Sequence, residues 1–239
     1  MSDSGALLFA RYAYPPNELG YCGPDGAEAM LRSDLPAEIA RRARGFEGAW
    51  AYLSFLNPGD PLDPAVVSAY WVGDSLPTAQ ADFPDLVPYL RSRFAGQHGG
   101  TWESAAGRAL PHHSFHVFEV YPWTALLRRT GNPTAVSVLD RCRIRTGTVL
   151  AVRGETATVT ARPLVWDGSA LHPGPPRAEE VAWSAGGRSL LAGLSPGDRV
   201  ALHWDWVCDV ITPEQASRIE SLEERQRRAL FPENVVPPA

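Results

Sequence analysis

Apolar positions recur at helical intervals in the first half of the chain and alternate in much of the second. In "PAEIARRARGFEGAWAYLSFL" the residues Ile39, Ala43, Phe46, Trp50, Leu53 and Phe55 fall on one helical face, with Pro36 suited to the first turn. Asp63 before Pro64 is an N-cap signal for a second helix through "PAVVSAYWVG", and "FPDLVPYLRSRF" predicts a third. The segment "YAYPPNELGYCGPDG" is rich in turn formers. "PHHSFHVFEVYPW" is aromatic and β-branched and predicts an extended segment.

After "RRTGNPT" the spacing changes from helical to alternating, which sets a domain boundary near Asn132. "IRTGTVLAV" and "TATVTARPLVW" predict a hairpin through "RGE", with Gly154 free to take a positive φ. Pro196-Gly197 fits the centre of a type II turn that feeds the strand "RVALHWDWVCDVI". On that strand Cys208 falls on the apolar face, a core thiol, while His203 and Asp205 share the polar face. Thr212-Pro213-Glu214-Gln215 is a capping box opening a last helix, with Ile219, Leu222 and Ala229 on its packing face. The expected fold is therefore α+β: a mainly helical domain over residues 1–132, then a small OB-like antiparallel β-barrel with a C-terminal helix over residues 133–239.

Composition narrows the chemistry. The chain has 239 residues, 44% of them hydrophobic and 21% charged, enough for a substantial core. Net charge is -5 and the only basic run is the short "RQRR" at Arg225 to Arg228, so no nucleic-acid partner is expected. All 22 basic residues are arginine, which excludes chemistry that needs a lysine amine. "MSDSGALLFARYAYPP" has an apolar run too short for a signal peptide or a membrane span, so a cytoplasmic protein without membrane partners is expected. Three cysteines, Cys22, Cys142 and Cys208, are too few for a disulfide framework and are expected as free thiols or ligands.

Two groups of residues could hold a metal. In the first half, His112, His113 and His116, with Glu119 or Cys22, offer a metal-ligating set. On a strand, His112 and His116 would stand about 13 Å apart, beyond chelation of one ion; on a helix they would be neighbours. In the second half, extended backbone near Cys142 would turn Arg141, Arg143 and Arg145 to the opposite face, where their charges lower the thiol pKa modestly. Cys142 is then either a ligand or a core residue. Asp205 either fixes the tautomer of His203 or is simply solvated.

The order of parts from Cys142 onward carries a resemblance. "CRIRTGTV" (Cys142 to Val149) and "GDRVALHWD" (Gly197 to Asp205), followed by a terminal helix, resemble the small [NiFe]-hydrogenase maturation chaperones of the HypC/HupF family. That resemblance implies a thiolate at Cys142 carrying iron, with cyanide and carbon monoxide as its other ligands, and His203 beside it. It also implies a hydrogenase large subunit or maturation scaffold as partner. Departures are the internal position of Cys142, the missing proline of the first motif, Trp204 after the histidine and a long loop from Trp166 to Glu180. The first half, through "FARYAYPPNELGYCGP" and "HHSFHVFEVYPW", resembles a bacterial and archaeal family of unknown function. The functional expectation is an accessory protein for metal-centre assembly. Its alternatives are a metal-dependent enzyme built on the histidine-rich site and a non-catalytic interaction module.

Overall fold

The computed structural model describes residues 5–76, 83–105 and 107–231, so the outer ends of both expected domains lie outside the described residues. Helices dominate the first half: α1 (Gly5–Glu18), α2 (Pro36–Ala43), α3 (Glu47–Leu56), α4 (Pro64–Trp71) and α5 (Leu86–Arg93). Helix α1 occupies ground where the sequence predicts turns. Phe9, Ala10, Tyr12 and Ala13 are all fully buried, and this tertiary burial outweighs the Pro15-Pro16 pair in the last turn. The single helix expected after Pro36 is two, α2 and α3, parted at Gly45, whose N–H bonds the Arg42 carbonyl at 2.9 Å. Asp63 caps α4 as expected, accepting from Ala65 N at 2.8 Å.

The second half is a closed five-stranded barrel. Strands β1 (Arg145–Arg153), β2 (Thr156–Ala161), β5 (Arg177–Ala182), β6 (Arg199–His203) and β7 (Trp206–Val210) follow the order β1-β2-β5-β7-β6, with β6 returning to β1. A parallel pair at Ala182 and Trp206 closes it, while the other pairings are antiparallel. Val149, Val159, Val181, Val200, Leu202 and Val207 fill its interior. Strands β3 (Leu164–Trp166) and β4 (Leu171–Pro173) form a small ribbon in the long loop. Gly154 and Gly197 take positive φ at the two expected turns. Helix α9 (Pro213–Leu230) opens on the expected capping box, with both reciprocal hydrogen bonds formed. Ile219 and Leu222 are buried as expected, whereas Ala229 is exposed and Leu230 closes the face instead.

Between these parts the chain forms α6 (His113–Phe115), running into a π-helical turn at His116–Val120, then α7 (Trp123–Thr130) and α8 (Pro133–Cys142). Three local expectations change here. The histidine segment is helical, because every residue from Ala109 to Val120 is sealed in the interior and side chains are wanted on all sides. Cys142 is the last residue of α8 rather than part of a strand. "RVALHWDWVCDVI" is the hairpin β6–β7, turned at Trp204-Asp205. The largest hydrophobic cluster runs across position 132, joining Phe9, Tyr12 and Trp71 to Ile144, Trp206, Cys208 and Leu222.

Arg143, buried just beyond α8, binds the three parts together. Its guanidinium donates to Asp140 at 2.9 Å, to Glu223 of α9 and to the Arg162 carbonyl at 2.6 Å. Asp140 also accepts from Leu164 N at 2.9 Å. Arg143→Met removes the cation that, among the described residues, pairs with both buried carboxylates, and should destabilise the fold by about 3–5 kcal/mol. Urea denaturation followed by circular dichroism measures this, and a loss below about 1 kcal/mol would contradict the role assigned to the cluster.

Candidate metal centre

Three side chains from three elements converge at the join of the helices and the barrel. His113 of α6, Cys142 at the end of α8 and His203 at the end of β6 each offer one donor atom, and these atoms lie within 4.8 Å of one another. Tetrahedral coordination with metal–nitrogen bonds of about 2.0–2.1 Å and a metal–sulfur bond of about 2.3 Å has donor–donor edges of roughly 3.3–3.6 Å. Small side-chain rotations therefore bring the set onto one ion. All three residues line a cavity of about 210 Å³ walled by Tyr70, Trp71, Phe46, Trp204 and Tyr121.

The local fold explains the placement. Trp204 adopts φ 54° at the hairpin tip, and its N–H donates to the Arg141 carbonyl at 2.7 Å, which ties the end of β6 to the end of α8. Arg145 completes the tie by donating to the Trp204 carbonyl at 2.8 Å. His203 is oriented by a second device. A helical carbonyl four residues before a proline has no N–H to accept from, and Tyr12 stands four residues before Pro16. That carbonyl accepts instead from His203 Nδ1 at 2.7 Å. Because a carbonyl only accepts, Nδ1 carries the proton and Nε2 keeps its lone pair. Nε2 is buried without a hydrogen-bond partner. On His113, Nε2 donates to the Cys142 carbonyl at 2.8 Å, leaving Nδ1 as the lone-pair atom, 3.2 Å from the Tyr70 hydroxyl.

Burial sets the electrostatics. The histidine pKa values fall chiefly through desolvation: His203 to about 4 despite the Tyr12 and Cys142 carbonyls, His113 well below its ordinary value, with His203 opposing it further. Burial also pushes the Cys142 thiol up, and Cys22 adds to that. The expected lowering by arginines does not occur. Arg141 pairs with Asp205 at 3.1 Å, Arg143 with Asp140 and Glu223, and Arg145 with Glu179. An ion bound by this set would meet neutral imidazoles and would have to displace the thiol proton.

The remaining candidates divide. Asp205 does not orient His203: it is exposed and held by Arg141, because the turn at Trp204 swings it out of the strand's polar face. His112 caps α6, with Nδ1 3.1 Å from Ser114 N. His116 meets the Tyr52 hydroxyl at 3.3 Å and lines another part of the cavity. Glu119 is committed to Arg108 and Thr101. So the four-residue set of His112, His113, His116 and Cys22 contributes only His113 to the cluster, while Cys22 lines the cavity wall. Cys208 is buried in the core, as its alternation predicts. Sequence reasoning did not pair His113 with Cys142 and His203, nor see Tyr12 as an orienting group. The only local signal was the Pro15-Pro16 pair, which predicts freed carbonyls inside a helix.

The buried histidines make stability pH-dependent. His112 and His116 titrate at about 3 and His203 at about 4, all lowered by desolvation. An unfolded histidine titrates at about 6.5, so the unfolded chain takes up protons first as pH falls, and native stability is full above that value. Each such histidine withdraws about 1.4 kcal/mol by one pH unit below it. The metal-free chain should therefore lose thermal stability steeply between about pH 6.5 and pH 4. Calorimetric melting across this range tests it; a flat melting temperature would refute neutral burial.

Among the described residues, no helix is long and apolar enough to cross a membrane. Neither a curated protein nor a solved structure matches the chain. A family model does match, over residues 1–233, and so takes in the helical part, the barrel and all three converging side chains: the chain belongs to DUF6390, a family of unknown function.

Proposed function

We propose that the chain is an accessory protein of metal-centre assembly, a variant of the hydrogenase-maturation chaperones, that carries iron on the Cys142 thiolate. His203 and His113 supply imidazole nitrogens to the same ion, and a hydrogenase large subunit or maturation scaffold receives it. The iron is cargo, with cyanide and carbon monoxide as its further ligands in the assembly role. The observation that carries this reading is the convergence of Cys142 with His203, two residues from different motifs, together with the unpartnered Nε2 of His203. The donor set is chemically apt. A thiolate with neutral imidazoles suits late first-row ions, and the apolar cavity walls suit strong-field ligands without polar ends to solvate.

A metal-dependent enzyme is the second reading. One feature favours it: three protein donors on a cavity wall leave a coordination position open, as catalytic metal sites do.

Anaerobic co-expression with maturation partners separates these readings. The native chain should carry about one iron per molecule, with infrared bands of bound cyanide and carbon monoxide. Cys142→Ser should lose about nine-tenths or more of the iron, and His203→Ala should weaken retention at least about tenfold. Full iron loading in Cys142→Ser would sink the carrier reading. Stoichiometric metal without diatomic ligands, coupled to turnover of a small molecule, would favour the enzyme.

A further inference from the structure

The cavity has a neck, and a second thiol stands in it. On the far side of residues 21 and 22 lies an outer groove of about 390 Å³, which Glu47, Phe94 and Gln97 help to line. Tyr21, Cys22, Gly48, His116 and Tyr121 line both the groove and the inner cavity. Cys22 is half-buried at this junction, whereas Cys142 lies inside, at 8% exposure. Both thiols line the same cavity, and Cys22 alone of the two also lines the groove.

The segment that presents Cys22 is built and braced. The buried side chain of Asn17 donates to the Cys22 carbonyl at 2.9 Å and the Pro24 carbonyl at 2.8 Å. Gly23 has φ +84°, and a Cβ there would come within 2.5 Å of the Phe46 ring, so the backbone after Cys22 tolerates only glycine. Tyr21 stacks on Trp204, the residue after His203, with ring centroids 4.2 Å apart and planes 14° from parallel. Tyr21 and Cys22 both line the cavity beside that stack.

We infer that Cys22 is a relay ligand: an ion arriving from the outer groove is captured by Cys22 at the neck and passed to Cys142, His203 and His113 inside, and leaves by the reverse route. This rests on the metal-carrying reading above. Two observations point to it independently of the thiol itself: the unpartnered Nε2 of buried His203 on the wall of the same cavity, and the shared lining of groove and cavity. The exchange balances without a redox step. The Cys22 sulfur–metal bond breaks as the Cys142 sulfur–metal bond forms, Cys142 gives up its thiol proton and Cys22 takes one back. The metal keeps its oxidation state.

A relay changes rates and leaves the equilibrium alone, which gives it a signature. With cobalt(II) alone as probe and the full chain, the near-ultraviolet thiolate-to-cobalt band reports how many sulfurs bind, and stopped-flow mixing reports how fast. Cys22→Ser should slow both loading and removal by a chelator about tenfold or more, with final stoichiometry, band intensity and Kd unchanged. Cys22→His, which restores a ligand at the neck, should recover much of the rate. Tyr21→Ala should speed chelator removal without altering the spectrum. Unchanged rates in Cys22→Ser would overturn the relay while leaving the carrier reading intact. A drop of about half in band intensity would overturn it too, by making Cys22 a resident ligand. Absence of any thiolate band in the native chain, or its persistence in Cys142→Ser, would remove the carrier reading itself.

Discussion

The Trp204 N–H to Arg141 carbonyl hydrogen bond is the constraint on which the site depends. It joins the tip of the β6–β7 hairpin to the end of α8, and so fixes the residue before Trp204 and the residue after Arg141, His203 and Cys142, on the wall of one cavity. A left-handed backbone at a tryptophan is unfavourable by about 1 kcal/mol or more, and the structure sustains it through this bond, the Arg145 bond to the Trp204 carbonyl and the Tyr21 stack. The strained residue sits next to His203, and the contacts that sustain it fix that side chain relative to Cys142.

A second consequence comes from the prolines of α1. Pro15 and Pro16 withdraw two N–H groups from the last turn, and the unpaired Tyr12 carbonyl becomes the orienting partner of His203. A defect in one helix thus selects the tautomer of a histidine in the barrel. The shared hydrophobic cluster makes this reliable, since Tyr12, Trp71 and Trp206 pack together and forbid the helix and the barrel to shift separately. Trp71 stacks on Tyr12 at 5.5 Å and lies 4.6 Å from His113 and 5.8 Å from His203, so one indole braces both imidazoles.

Desolvation governs the chemistry of the cavity. It keeps the histidines neutral, which is the state in which nitrogen can bind a metal, and keeps Cys142 protonated, which is the state in which sulfur binds poorly. The paired arginines, each held by a carboxylate, do nothing to relieve that. An ion binding to Cys142 would have to displace its thiol proton, among walls that are largely aromatic.

What the sequence determined by itself is what local chemistry encodes. The capping box at Thr212, the glycines of two turns, the core position of Cys208, the change from helical to alternating spacing and the resulting α+β fold are each set by neighbours a few positions away. The order of the Cys142 and His203 motifs also marked those two residues, though not their geometry. Tertiary structure alone decided the helical state of the histidine segment, the turn at Trp204, the transfer of Asp205 to Arg141 and the entry of His113 into the cluster. The physical reason is common to all four. A segment buried on every side has no amphipathic period to display, a turn built on tryptophan lacks the glycine that announces turns, and a hydrogen bond between residues 12 and 203 leaves no trace in the spacing of either.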